Sequence, residues 1–481
     1  MTFSDNDLQQ IKSHGLNIDD INQQLQDFKN GFPFSDIVKP AVVGDGIMIV
    51  DDNKYNEMAN AYDNYTKTHK IVKFVPASGA ATRMFKDLFD FMKTNNMNDA
   101  TKTTIENIEK FAFWDELKKY LPEKFTAMDI VKNLLTESGL NYGNTPKGLI
   151  LFHKYVDGTK TPVAEHLTEG AQYASSNNTV NIHFTVSHEH KQAFTELLNI
   201  IVPQYEKKYN LKYNIEMSEQ KPSTDTIAVN MDNTLFRNTD GSLLFRPSGH
   251  GALIENLNDI DADLIFIKNI DNVTPDDLRN DTIKYKKILA AVLISLQQKI
   301  FQFIRDIDNN TANIDIMHEF ITNELGVKLQ NRLSSNEYRE ILNRPLRVCG
   351  MVKNTGAPGG GPFWVQSSNG TINLQIVESS QIAPKSKDIM NKSEYFNPVD
   401  LVCGVRDCNG NKFDLTQYID KNTGFISEKS QNGTPLRAME RPGLWNGAMA
   451  NWNTVFVAVP ATTFTPVKVV SDLLNSSHTT K

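Results

Sequence analysis

At positions 71–77 the chain reads Ile-Val-Lys-Phe-Val-Pro-Ala, a short apolar run rich in β-branched residues. It passes without a spacer into Ser78-Gly79-Ala80-Ala81-Thr82-Arg83 and then into the run MFKDLFDFMKT. The first segment has the length and composition of a buried strand. The last has its apolar residues at helical spacing, and the small residues between them allow a tight turn. Strand, glycine-containing turn and helix in direct succession is the building unit of α/β folds. It gathers turn N–H groups and a helix N-terminus where negative charge is stabilised. Arg83 adds a planar cationic fork suited to phosphate oxygens. The turn has neither the GxGxxG spacing of a dinucleotide fold nor the GK[ST] ending of a P-loop, so a plain strand-to-helix turn fits the same letters.

The strand rhythm continues. Residues 148–152 (GLILF), 180–187 (VNIHFTVS), 213–220 (YNIEMSEQ) and 263–271 (DLIFIKNID) read as strands, with helices expected over 162–175 and 190–208. Strands alternating with helices predict an α/β fold with a doubly wound, mostly parallel sheet and right-handed crossovers. The expected organisation is an N-terminal helical segment over 1–65, with Ser4 and Asp5 as N-cap candidates, and a nucleotide-binding core over 66–275. A polar helical stretch at about 98–140 interrupts that core. A helical insertion follows over 276–342. Residues 343–470, richer in Gly, Asn and aromatics, read as a smaller C-terminal α+β lobe, and 471–481 as a frayed tail.

Bulk composition narrows the classes of function. The 481 residues are 40% hydrophobic, enough for a sizeable core, and Lys plus Arg (50) against Asp plus Glu (57) leaves a net charge of -7. That balance argues against a nucleic-acid partner, which calls for a basic stripe. Three cysteines, Cys349, Cys403 and Cys408, form no CxxC pair, so neither a disulfide framework nor a zinc site is expected. The N-terminus lacks a signal-peptide pattern, and the apolar run 288–296 is far short of a bilayer span. A cytoplasmic protein with no membrane partner is expected.

Four further segments carry chemistry. Thr145-Pro146-Lys147-Gly148 puts a lysine just before an expected strand, within reach of phosphates on the first loop. Gln220-Lys221-Pro222-Ser223 follows a strand end, where open α/β sheets place ligands, and an amide pairs with a base edge. Pro247-Ser248-Gly249-His250-Gly251 sets a histidine between two glycines, whose bare backbone admits a flat ring. Lys268-Asn269-Ile270-Asp271-Asn272 ends an apolar strand on a carboxylate suited to Mg²⁺. Each segment also has a plainer reading: a surface-turn lysine, a polar loop, a packed histidine, a turn-capping aspartate.

The order of the five segments is more specific than any one of them. It resembles the UDP-sugar pyrophosphorylases of the GT-A-like nucleotidyltransferase superfamily over about residues 71–275. Over its whole length, including 354–364 (NTGAPGGGPFW), 396–400 (FNPVD) and 442–449 (PGLWNGAM), the chain is similar to an uncharacterised bacterial domain-of-unknown-function family. The loop Gly79-Ala80-Ala81-Thr82-Arg83 carries less glycine than the pyrophosphorylases usually show.

The resemblance implies a Mg²⁺-dependent transfer between a UTP-like nucleoside triphosphate and a sugar 1-phosphate. In that scheme Ser78, Gly79, Ala80, Ala81 and Thr82 hold the triphosphate with Arg83, and Lys147 stabilises the phosphates during transfer. Gln220, Pro222, Gly249, His250, Gly251 and Asn272 contact the nucleotide, and Asp271 holds the metal with Asp400 as its candidate second ligand. Lys429, Asn354 and Trp364 are candidates for the sugar phosphate. The glycine- and proline-rich stretch 354–364 equally suits a rigid inter-lobe turn, and Lys429 a solvated loop. A GT-A-like glycosyltransferase and a non-catalytic nucleotide or nucleotide-sugar binder are the alternatives. Asp259, Asp261 and Asp263 precede their strand rather than follow it, and the absence of GxGxxG disfavours a dehydrogenase. All five segments are expected to converge at the carboxyl edge of one sheet.

Overall fold

The apolar run of residues 71–76 forms a strand buried along its first five positions. Two parallel neighbours flank it: Leu264–Lys268 on one side and Thr179–Thr185 on the other, with Lys212–Ser218 parallel beyond the latter. These strands have a computed structural model behind them that describes residues 3–479 except Ala80, Ala357, Pro358, Ser368 and Asn369. They belong to the second of two units. Unit 2 comprises 51–219, 262–291 and 459–481; unit 1 comprises 1–50, 220–261 and 292–458.

In unit 2 the strand order is 212–218, 179–185, 71–76, 264–268, all parallel. The helices Pro162–Tyr173 and Lys191–Tyr209 cover this sheet through Val163, Leu167, Phe194 and Leu198, which pack on Val180, Ile182 and Phe184. The first helix starts where the sequence allows: Thr161 caps it by accepting from Ala164 N–H, and Pro162 occupies the first turn, where no N–H is needed. A second core gathers the helices Lys86–Thr94, Asp99–Glu106 and Ala127–Leu135 around Phe85, Phe111, Phe113 and Leu134.

Unit 1 is mixed. Gly46–Met48, Asn453–Ala458 and Leu346–Lys353 run parallel, and Asp400–Gly404 pairs antiparallel with the last. Two antiparallel sheets accompany them, one holding Gly361–Gln366 and Ile372–Val377, the other Thr226–Val229 with the hairpin of Phe425–Gln431 and Thr434–Glu440. The N-terminal helices Asp5–Ser13 and Ile18–Asn30 close over the latter sheet through Ile11, Ile21, Leu25 and Phe28. Between residues 37 and 48, where the sequence reads as helix, the chain forms short strands.

Two expectations are corrected. Residues 148–152 are not a strand: Lys147–Leu149 is a 3₁₀ turn and the run continues as loop. The segment is apolar because it is wedged between two cores, with Leu149 against one and Ile150 and Phe152 in the other. The tail is not frayed through residue 479 either. Val467, Val470 and Leu473 insert into the helical core, and the buried His478 places Nδ1 3.0 Å from His153 Nε2. Among the described residues one helix, Asn280–Asp308, is long and apolar enough to cross a membrane by length and composition, and 61% of its apolar window is buried within the protein.

Gly170 sits where its helix meets the sheet, and a Cβ there would lie 2.6 Å from Val180 Cγ1 and 3.1 Å from Ile182 Cδ1. Gly170→Val therefore overpacks the contact and is expected to lower unfolding free energy by about 1–3 kcal/mol in urea titrations. An unchanged midpoint would mean that helix and sheet do not meet this closely.

Candidate functional site

Order and direction of the unit 2 strands define an edge. From 71–76 the chain steps outward through 179–185 to 212–218, then returns to the other flank of 71–76 at 264–268. The order reverses between 71–76 and 264–268, and open α/β sheets take ligands beyond the carboxyl ends at such a point. Two loops leave the sheet here, stitched together by Ile270 N–H donating to the Pro76 carbonyl at 3.3 Å.

The first loop is the small-residue turn. Ala81 is fully buried in the helical core, while Ser78, Gly79, Thr82 and Arg83 are exposed. Ala81–Arg83 forms a 3₁₀ turn and the helix follows from Lys86. A Cβ on Gly79 would meet nothing within 4 Å, so packing does not demand this glycine and the space above it is open. Ala80 lies outside the described residues.

The second loop carries Asp271. Lys147 Nζ donates to Asp271 Oδ2 and to the Val467 carbonyl, both at 2.7 Å, and Val467 N–H donates back to the Asp271 carbonyl at 3.2 Å. The two side chains are 16% and 19% exposed, so the pair is shielded yet reachable. Gly148, next to Lys147, is required by packing: a Cβ would meet the Phe194 ring at 2.9 Å and Ile270 at 3.2 Å. Two residues far apart in sequence are thus brought together. Asn272 is different. It is buried, and its side-chain carbonyl accepts from Thr465 N–H at 2.9 Å, so it ties the C-terminal segment to the strand end.

Beneath this edge lies an ionic cluster that the motif reading missed. Lys73 and Lys268, one from each central strand, donate to the two oxygens of Glu169 at 2.7 Å each, and Tyr173 Oη donates to the same carboxylate at 2.9 Å. All three charged side chains are fully buried. Burial pulls Lys73 down to about 7, with Glu169 opposing the shift. Burial, reinforced by Lys73, holds His166 well below its ordinary value. Glu169 stays well below the usual carboxylate range because Lys268 and Lys73 outweigh its own desolvation. The signal was a lysine inside each of two strongly apolar strands, which only a buried counter-charge makes tolerable. On the same helix, Glu165 binds His153 Nδ1 at 2.9 Å and Arg279 Nη2 at 2.5 Å.

The other predicted residues fall in unit 1. Gln220 Nε2 donates to Asp225 Oδ1 at 3.3 Å, and Pro222 opens a 3₁₀ turn. His250 Nδ1 accepts from Leu444 N–H at 2.9 Å, its ring stacks on Trp445 at 4.2 Å, and its Nε2 lies 3.6 Å from Glu378 Oε1. Gly249 has φ of +78° and a Cβ there would meet Glu440 Oε2 at 2.6 Å; at Gly251 it would meet the Pro442 carbonyl at 2.2 Å. Close approach of residues 440–442 therefore accounts for both glycines. Trp364 is no open platform: it is buried, Nε1 donates to the Asp45 carbonyl at 3.2 Å, and Lys328 Nζ sits 4.1 Å over its ring. Lys429 is exposed on the strand Phe425–Gln431, and Asn354 is exposed with Oδ1 accepting from Gly356 N–H at 2.8 Å. Asp400 is buried at the start of Asp400–Gly404. Among the described residues no three His, Cys, Asp or Glu side chains gather as a metal cluster. Asp271 and Asp400 belong to different units.

The buried lysine has a pH signature. Folded Lys73 releases its proton near 7, whereas an unfolded lysine holds it to 10.5. Between those values the unfolded chain binds more protons, so stability should rise with pH across that window and lie flat, for this group, below it. Lys73→Met should show a smaller gain than the parent in urea unfolding between about pH 7 and about pH 9.5. Equal gains would mean Lys73 stays charged in its buried place.

UDP-glucose pyrophosphorylase from Leishmania major is 14% identical, with 98% of this chain and 79% of that chain covered at a TM-score of 0.46. UDP-glucose phosphorylase from Trypanosoma brucei is 14% identical, with 98% and 77% covered and a TM-score of 0.48. The uridine diphosphate N-acetylglucosamine pyrophosphorylase of Trypanosoma brucei is 10% identical, with 94% and 74% covered and a TM-score of 0.49. No curated protein matches the sequence. The family model described as "Domain of unknown function (DUF4301)" matches residues 4–479, and the chain belongs to that family.

Proposed function

We propose that this protein is a nucleotidyltransferase that joins a UTP-like nucleoside triphosphate to a sugar 1-phosphate, giving a nucleotide sugar and pyrophosphate. The observation that carries it is the Lys147–Asp271 pair at the reversal point of the sheet, on the edge that also bears the open Ser78–Arg83 turn. In the reaction an oxygen of the sugar phosphate attacks the α-phosphorus, a new P–O bond forms, and the bond to the β-phosphate breaks with pyrophosphate as leaving group. Such transfer needs positioning and charge neutralisation more than covalent help. The turn's backbone N–H groups and the Arg83 guanidinium would hold the phosphates, and the Lys147 ammonium would offset charge on the transferred group. The roles of Gln220, Gly249 and Gly251 in choosing the base, and a GT-A-like winding of the sheet, belong to the same proposal.

Magnesium commonly binds through one or two carboxylates, phosphate oxygens and water, and Asp271 offers one such carboxylate. Bound there, the ion would neutralise phosphate charge. Asp271 would hold the ion, with water and phosphate oxygens as the further ligands such an ion usually keeps.

The test is a panel of nucleoside triphosphates against sugar 1-phosphates, read by pyrophosphate release. Lys147→Ala and Arg83→Ala should each lower turnover by about 10²–10⁴, the range for losing one preorganised charge. Asp271→Ala should abolish magnesium-dependent turnover while circular dichroism stays unchanged. UTP binding by titration calorimetry without pyrophosphate release across the panel would reduce the protein to a nucleotide binder. Full activity of Asp271→Ala would remove that residue from the site.

A further inference from the structure

Unit 1 holds a cavity of about 360 Å³, the size class of small-ligand sites, and none of the residues assigned above lines it. Its wall combines the loop 33–36, parts of the hairpin strands Gly361–Gln366 and Ile372–Val377, and the turns around 420–423 and 446–451. The wall is built from amides held in place by one another. Asn446 Nδ2 donates to Gln381 Oε1 at 3.0 Å, Gln381 Nε2 donates to the Thr423 carbonyl at 3.1 Å, and Gln375 Nε2 donates to the Ala450 carbonyl at 2.6 Å. All three amide residues are at least nine-tenths buried.

The charge of the lining says what such a wall accepts. It includes Asp36 and Asp420 and no lysine, arginine or histidine. Anions are therefore disfavoured and hydroxyl donors favoured, because a hydroxyl both gives and takes hydrogen bonds against amides and carboxylates. Phe34, on the same wall, is 54% exposed. A flat ring of this kind suits the C–H face of a saturated ring whose edges carry hydroxyls.

We infer that this cavity binds a neutral polyhydroxylated ligand of monosaccharide size. Its chemistry differs from the cationic edge of unit 2: it takes the uncharged hydroxyls of a sugar or cyclic polyol, not a phosphate. The inference stands on unit 1 alone and does not rest on the transfer reaction.

Saturation-transfer NMR and calorimetry on the full chain test it, with D-glucose and myo-inositol as probes and inorganic phosphate as competitor. Saturable binding of either neutral probe is expected, unaffected by phosphate and unaffected by Lys147→Ala. Phe34→Ala, an exposed change that leaves the fold intact, should weaken it about tenfold, as should Gln375→Leu. Absence of binding by both probes, displacement by phosphate, or binding indifferent to Phe34→Ala would overturn the assignment. Loss of pyrophosphate release in Lys147→Ala with probe binding retained separates this site from the proposed reaction.

Discussion

Everything at the unit 2 edge depends on one parallel pairing, that of Ile71–Pro76 with Leu264–Lys268. Its register sets Leu264 opposite Ile71 and Ile267 opposite Phe74. A slip by one residue would turn every side chain of one strand to the wrong face. Here it would also part Lys73 or Lys268 from Glu169 and leave a charge buried alone, which costs several kcal/mol. The ionic cluster under the sheet thus penalises every register but one. That register carries Ile270 to the Pro76 carbonyl and so brings Asp271 to the rim where Lys147 waits.

Much of this frame was legible in the sequence. The runs at 71–76, 179–185, 212–218 and 264–268 announce themselves by β-branched and aromatic content, and the helices between them by spacing and by the Thr161-Pro162 start. The failures share one cause. Residues 148–152 and the tail around 467–478 are apolar because they fill gaps between packed elements, and a short apolar run does not say whether a sheet or a core claims it. Asn272 and Trp364 look like ligand residues by type, yet tertiary partners hold both.

The glycines show why motif letters underdetermine a site. Gly148, Gly249 and Gly251 are each demanded by a neighbour that would collide with a Cβ, whereas Gly79 faces open space. The letters alone do not separate a glycine that packing demands from one that it does not. Only Gly79 combines exposure, an edge position and no packing need. The distinction rests on what stands opposite each glycine, and that is long-range information absent from local spacing.

The two lysine environments of unit 2 complete the logic. Lys73 and Lys268 are fully buried around one carboxylate, so they are fixed and unavailable to any solute. Lys147 is partly exposed and rests on a single carboxylate and a carbonyl. The carboxylate makes a charge-assisted contact with this ammonium, which stays within reach of solvent. The proposed phosphate contact at this edge is compatible with a net charge of -7, because what counts there is the field of a few oriented groups and not the total.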